Sequence, residues 1–441
     1  MGSFFDSTHG FAIRCSLIAS LGGFLFGFET AVISGAEKNI QQLWSLDSFW
    51  QGFTVSSSLI GTVIGALAAS IPAQKFGRKK VLIAIALAYL CSAIGCALSA
   101  SWSLFILSRF IGGLAVGMSS VVGPIYISEI APASSRGRLT SSFQLMIVLG
   151  IFIAYLTNFL FVGMGDESWR WMLGIMVLPS LLFFGLLQLV PESPRWLVMQ
   201  GKTKKAREIF RKLGEGDIES VLASSAQIGS AQDSLFQRKY LKPILYAVIL
   251  AMFNQLSGIN AILYYAPRIF ELAGFDEKVA YLQPVFIGGA NLLFTCLAMS
   301  IIDKFGRKRL LLIGSVGMFV FLALVAHAFS QGVDGASSVL IYLIGFIAFF
   351  AFSQGAVIWV FISEIFPNNV RSQGSSLGSF THWIMAAAIS WVFPIIAEGH
   401  PNGGYYSFVF YSVMMAISFF FIWKFMPETK GKSLEEIQEA L

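Results

Sequence analysis

About a dozen runs of roughly 20 mostly apolar residues, each long enough to cross about 30 Å of hydrocarbon as a helix, dominate this chain. They fall at 11–35, 52–73, 81–99, 104–127, 140–163, 170–190, 241–269, 281–302, 310–329, 338–363, 373–397 and 405–425. With 441 residues, 56% of them hydrophobic and 12% charged, and a mean hydropathy of +0.72, the chain has too few polar residues to clothe soluble domains of that size. The bilayer is its solvent, and the expected class is all-α integral membrane.

Charge placement tests the count of runs. Of the 30 Lys and Arg, ten lie between residues 195 and 242 and four between Lys304 and Arg309. Lys75, Arg78, Lys79, Lys80, Arg136 and Arg138 fill two earlier connections, and Arg371, Lys424, Lys430 and Lys432 follow later spans. The alternate connections and helix ends hold only Lys38, Arg170, Arg268 and Lys278. Such alternation is what the positive-inside rule produces, so a multi-pass protein of the cell membrane with both termini and the long middle loop cytoplasmic is expected. The net charge of +6 then reflects topology, and no nucleic-acid partner is expected. Cys15, Cys91, Cys96 and Cys296 all fall in apolar runs and read as packing residues, without disulfide, metal or cofactor. The first run is too long for a signal peptide and lacks a small-residue cleavage site, so it is read as a retained helix.

The chain also repeats itself. KFGRKKVLIA at Lys75 returns as KFGRKRLLLI at Lys304, YISEIAPASSR at Tyr126 as FISEIFPNNVR at Phe361, and VPESPRW at Val190 as MPETKGK at Met426. Three nearly equal offsets, in order, imply two six-helix bundles of the same topology, the plan of an alternating-access carrier. The expected organisation is a bundle over 1–190, a cytoplasmic helical linker over 191–240, a second bundle over 241–426 and a cytoplasmic tail over 427–441. TKKAREIFRKL in the linker has apolar residues at helical spacing among bases and reads as an amphipathic helix.

These motifs, with RFIGGLAVG, RGR, NQLSGINAILYYAP and WVFISEIFP, resemble those of a sugar porter of the major facilitator superfamily, over essentially the whole chain. The resemblance implies a twelve-helix major facilitator fold and an intracellular ion-pair network that closes the inner gate. Its members here are Arg78, Glu129, Arg136, Glu192, Arg195, Asp303, Arg307, Glu364, Arg371 and Glu428. The plain alternative is that these bases only anchor topology. Surface pairs contribute about 0–1 kcal/mol each, so a gate must act as a network present in one conformation and absent from the other. Gln74 stands where the family usually has an acid, while Asp303 keeps it, which implies a looser latch on the first half.

A sugar hydroxyl both donates and accepts, and amides answer both roles without a buried charge. The resemblance places sugar ligands at Gln144, Asn254, Gln255, Asn260, Asn291 and His382, with Trp359 and Trp383 as aromatic platforms. Gln255 and Asn260 can face one cavity if the helix breaks at SGIN; the alternative for each amide is helix-to-helix bonding. Asn254 is one methylene shorter than the usual Gln, His382 replaces an amide, Ala356 replaces a proline, and Ala351 stands where animal facilitative members have a glutamate.

Glu29 sits in the apolar run LGGFLFGFETAVISGA. An acid at a helix centre costs about 2.5–3.5 kcal/mol on insertion scales and needs a partner or water. Arg109 is the one base well inside the first bundle. In the family the Glu29 position is typically Asp in proton-coupled members and Asn in facilitative ones, so the resemblance implies monosaccharide:proton symport with Glu29 as carrier and Arg109 as its counter-charge. A permanent structural pair is the alternative for these two residues. For the whole chain the rivals are a facilitative uniporter and a sugar receptor on a transporter fold. No phosphate loop, nucleophile elbow or metal spacing points to an enzyme. A single chain in the bilayer, with a neutral monosaccharide and a proton as partners, is expected to suffice.

Overall fold

The computed structural model describes residues 8–132, 135–213, 234–332, 336–367 and 370–428, and all regular structure among them is helical. Twelve helices of the described residues are long and apolar enough to cross a membrane. They are Gly10–Leu43, Ser48–Ala68, Arg78–Leu98, Trp102–Ile130, Arg136–Phe161, Ser168–Leu187, Arg238–Tyr264, Glu277–Ser300, Arg307–Ser330, Ser338–Ile362, Gln373–Gly399 and Gly403–Phe425. The twelve apolar runs correspond to these one for one. The first differs in length: the sequence suggests an end near residue 35, whereas the helix continues to Leu43. Within the added length Glu37 pairs with Arg268 and Lys38 with Glu271, which makes a longer helix tolerable.

The GRK corners lie between the second and third and between the eighth and ninth spans. Each is one glycine. Gly77 (φ 97°, ψ 162°) joins helix Ser70–Phe76 to Arg78–Leu98, and Gly306 (φ 85°, ψ 156°) joins Glu277–Phe305 to Arg307–Ser330. That backbone region is open essentially to glycine alone. Three of the described spans are interrupted in mid-course, the sixth briefly at Ile175 and Met176 between Ser168–Gly174 and Val177–Leu187. The seventh stops at Leu256 and restarts at Ile259 after Gly258, whose φ of 80° is left-handed. The tenth breaks at Ser353, between Ala336–Phe352 and Gln354–Glu364.

Contacts gather the chain into two compact units. The first comprises Met1–Glu29, Gly61–Ile151 and Leu173–Ala231. In it Ser193 caps the short helix Pro194–Met199 by accepting from Trp196 N at 3.2 Å, and Trp196 Nε1 donates to Gln74 O at 2.7 Å. Helix Thr203–Leu213 lays Ala206 and Phe210 on Trp196, Leu197 and Val198, so the amphipathic helix expected after residue 195 is present. Residues 214–233 of the linker and 429–441 of the tail lie outside the described residues.

The second unit comprises Thr30–Ile60, Phe152–Met172 and Gln232–Leu441. Besides the second repeat it takes in the later parts of the first and fifth spans and the starts of the second and sixth. Hydrogen bonds explain why: Tyr155 Oη donates to Leu263 O at 2.7 Å, Tyr281 Oη to Gly35 O at 2.8 Å, and Asn158 Nδ2 to Val32 O at 3.2 Å. Its core packs Leu250, Phe361, Ile362, Phe366 and Ile422 together.

Candidate functional site

In the first unit Glu29 and Arg109 form an ion pair through Glu29 Oε1 and Arg109 Nη1, both essentially inaccessible to solvent. Arg109 Nη1 also lies 3.5 Å from Glu29 O. Its Nε and Nη2 are buried with no hydrogen-bond partner among the described residues. The guanidinium thus meets the carboxylate at one corner rather than as a two-pronged fork, which leaves much of its bonding capacity unspent. Gly112 makes the seat: a Cβ there would stand 2.7 Å from Glu29 Oε1 and collide with Ser92 Oγ. The pairing proposed from sequence is therefore present.

In the second unit the amides line up at the two helix breaks. Asn260 Nδ2 donates to Gln255 Oε1 at 2.7 Å, and Gln255 Nε2 donates to Asn254 Oδ1 at 2.9 Å. Asn254 Nδ2 in turn donates to Gln354 O at 3.2 Å and Gln354 Oε1 at 3.4 Å. All four donations run in one direction, and all four residues are buried. The chain of bonds ends on Gln354 Nε2, which is buried with no acceptor among the described residues. His382 Nε2 lies 3.1 Å from Gln255 Nε2, its ring 4.6 Å from that of Trp359 and 5.0 Å from that of Trp383. Trp383 is buried, while Trp359 is 37% exposed.

Of the sugar ligands read from sequence, the fold brings together Asn254, Gln255, Asn260, His382, Trp359 and Trp383. Asn291, buried in the eighth span, accepts from Thr295 Oγ1 at 3.5 Å and is not hydrogen-bonded to this group among the described residues. Gln144 belongs to the first unit, half-buried on Arg136–Phe161. Gln354 was not anticipated; its only sequence signal is an amide beside a glycine in an apolar run.

The GRK corners appear twice in matching form. Arg78 holds Glu129 in a two-pronged pair, Nε to Oε2 at 2.9 Å and Nη2 to Oε1 at 2.8 Å. Glu192 Oε1 accepts from the backbone N of Arg78 at 2.9 Å and of Lys79 at 3.0 Å, capping that helix start. In the second unit Arg307 Nη2 pairs with Glu364 Oε1 at 3.1 Å, and Glu428 accepts from the backbone N of Arg307 at 2.9 Å and Lys308 at 3.2 Å. Two expected members, Asp303 and Arg371, have side chains outside the described ones. Arg136 opens the fifth span and Arg195 lies on helix Pro194–Met199, both half-buried.

A charge cluster that sequence reading missed lies at the opposite end of the second span from Gly77. Arg268 Nε pairs with Glu37 Oε1 at 2.9 Å, and its Nη1 and Nη2 reach Glu398 Oε1 and Gln41 Oε1. Glu37 Oε2 accepts from Gln51 Nε2 at 2.6 Å, Ser48 Oγ bonds Glu398 Oε2, and Lys38 pairs with Glu271 at 2.8 Å. Most of its partners are 130 to 350 residues apart, which hid it.

Residues 15–441 match the family described as sugar (and other) transporter. The chain is 38% identical over 444 residues to the arabinose-proton symporter of Bacillus subtilis (strain 168), covering 98% of this chain and 95% of that protein. It is 35% identical over 479 residues to the D-xylose-proton symporter of Escherichia coli (strain K12), covering 99% of this chain and 97% of that one. The solved structure of the E. coli xylose transporter XylE in a partially occluded inward open conformation superposes with a TM-score of 0.86 at 33% identity, over 96% of this chain and 99% of that chain. With twelve membrane-length helices, the repeated GRK corners and these matches in agreement, the chain belongs to the sugar porter family of the major facilitator superfamily.

Proposed function

We propose that this transporter carries a neutral monosaccharide together with a proton by alternating access, with Glu29 as the proton carrier and Arg109 as its counter-charge. The observation that carries the reading is the buried, one-cornered Glu29–Arg109 pair, in which Arg109 keeps two buried donor nitrogens without partners among the described residues. Movement of either helix that parts the two leaves a lone carboxylate in an apolar site. Such a group takes up a proton rather than stay charged, and return of the guanidinium expels it. The symporter names of the arabinose and xylose relatives support the same coupling. A carrier cycle rather than an enzyme reaction is meant, and the repeat bundles 1–190 and 241–426 are read as its moving bodies.

Sugar selection falls to the amide chain of the broken seventh span with His382, Trp359 and Trp383, joined by Gln144 and Asn291. All of these are uncharged ligands suited to hydroxyls. Both termini and the GRK corners are read as cytoplasmic from the charge bias, and the corners with Glu129, Glu192, Glu364 and Glu428 as the inner gate. A single chain is read as the working unit.

The test is reconstitution into liposomes. Sugar addition should alkalinise the medium, and an inward proton gradient should drive uphill sugar accumulation. Glu29→Gln should abolish accumulation while preserving sugar counterflow, which needs no proton cycle. Uphill accumulation by Glu29→Gln, or the absence of sugar-induced alkalinisation in the parent, would leave a facilitative uniporter instead. Tight binding of a sugar phosphate with no response to free monosaccharides would refute the substrate class.

A further inference from the structure

The ninth span carries a furrow on its exposed side, within the second unit. Buried Gly317 and the half-buried Phe321, Phe349 and Phe419, from the ninth, tenth and twelfth spans, line its deeper part. The exposed Ile313, Val316 and Val320 stand along its rim. Its volume is about 460 Å³, and every residue lining it is apolar. Close approach of two helices shapes it: a Cβ on Gly317 would collide with the ring of Phe349, and that ring lies 5.7 Å from the ring of Phe321.

The furrow has one charged end. Arg309 precedes Ile313 by one helical turn, so the two share a face, and helical side chains lean toward the N-terminus, which carries the guanidinium to the water boundary at the GRK corner. Arg309 is exposed, and its side chain makes no ion pair or hydrogen bond among the described residues. The acids nearby are engaged elsewhere, Glu364 with Arg307 at 3.1 Å and Glu428 with the backbone N of Arg307 and Lys308. On the twelfth span the exposed Trp423 stands one turn beyond Phe419 toward the same boundary, the depth at which an indole N–H meets lipid ester and headgroup oxygens.

Length and charge together select the occupant. From Leu312 to Val320 the furrow runs about 12 Å along the helix, less than the roughly 15 Å depth of one leaflet's hydrocarbon. A second copy of the chain would pack helix on helix over many turns, whereas this furrow is about two turns long. An acyl chain entering from the boundary fits that length. A zwitterionic headgroup would bring its own cation beside the Arg309 guanidinium, and an anionic one does not.

We propose that the furrow binds one anionic phospholipid of the leaflet on the GRK side, with its phosphate on Arg309, its ester region against Trp423 and one acyl chain along Gly317 between Phe349 and Phe419.

Native mass spectrometry of the full chain, released from nanodiscs that hold equal amounts of phosphatidylglycerol and phosphatidylcholine with the same acyl chains, reads the retained lipid by its mass. One phosphatidylglycerol per chain should be retained over phosphatidylcholine by about fivefold, the worth of one base at a membrane surface. Arg309→Gln should bring the two lipids to parity, and Arg309→Lys should keep the excess. Val316→Trp, which fills the furrow and leaves the charge, should abolish the excess as well, and Ile313→Trp is the second filling variant should Val316→Trp not fold. Glycerol 3-phosphate, which has the phosphate and no tail, should not displace the bound lipid. Equal retention by the parent, an excess that persists in Arg309→Gln, or one that persists in the filling variants overturns the proposal. Displacement by glycerol 3-phosphate would make this a free-phosphate site, and a dimer lost in Val316→Trp would make the furrow a contact between copies; either result also overturns it.

Discussion

Asn254 donates its amide to both the backbone carbonyl and the side-chain oxygen of Gln354, at 3.2 and 3.4 Å, and so ties the break in the seventh span to the break in the tenth. Discontinuous helices free peptide groups at membrane depth, and those groups must find partners within the protein. The bond between Asn254 and Gln354 does this while fixing which way the amides beyond it face.

Replacing Gln354 by Leu removes one of the two acceptors of Asn254 and the end of the amide chain. Sugar affinity should fall by about threefold to tenfold, less than for a direct ligand because the carbonyl remains. Calorimetric titration with D-xylose, L-arabinose and D-glucose measures it; unchanged affinities for all three would remove Gln354 from the site.

Truncation of the amides themselves should cost more. Gln255→Ala, Asn260→Ala and Gln144→Ala are each expected to weaken sugar binding by at least about tenfold, since a hydroxyl or amide left unpaired in a buried site costs roughly 1–3 kcal/mol. Equal affinities for the parent and all three variants in the same titration would place the site elsewhere.

Gly112→Ala puts a methyl group 2.7 Å from Glu29 Oε1 and against Ser92 Oγ. The carboxylate must shift from Arg109, so gradient-driven accumulation should drop by more than counterflow does, and thermal unfolding should move down by an amount equivalent to about 1–3 kcal/mol. Equal losses in the two transport modes would argue against a coupling role for this seat.

Gly77→Ala and Gly306→Ala each force a side chain into a backbone region suited to glycine, against Glu192 and Glu428 respectively. Each should destabilise the protein by about 1–3 kcal/mol. Unfolding midpoints in detergent, compared with Gly137→Ala, where a Cβ meets nothing within 4 Å, separate strain at the corner from a general effect of alanine.

Twelve spans were legible because a bilayer imposes length and apolarity on every crossing, and both are local properties. The same holds for Glu29 and Arg109, which stand out as charges within apolar runs, and for the break at Gly258, since glycine advertises its backbone freedom. The break at Ser353 gave no such sign, because serine and glutamine are at home in membrane helices that bond their side chains internally. The extension of the first span past residue 35 stayed hidden for the opposite reason: Glu37 pairs with Arg268, a partner 231 residues away that no local window contains. Gln354 stayed hidden alongside it, since the value of an amide depends on what faces it.

Glu192 and Glu428 accept from the main-chain amides of the residues after Gly77 and Gly306. The corner is therefore indifferent to which residues occupy 78, 79, 307 and 308, so far as the cap is concerned. Lys79 and Lys308 can drift under the demands of biogenesis, where clustered bases orient the nascent chain in the bilayer, without unlacing the helix start. Mutational tolerance at each corner should accordingly split: broad for folding yield at Lys79 and Lys308, narrow at the glycine and the capping glutamate, while Arg78 and Arg307 are held by their own pairs with Glu129 and Glu364.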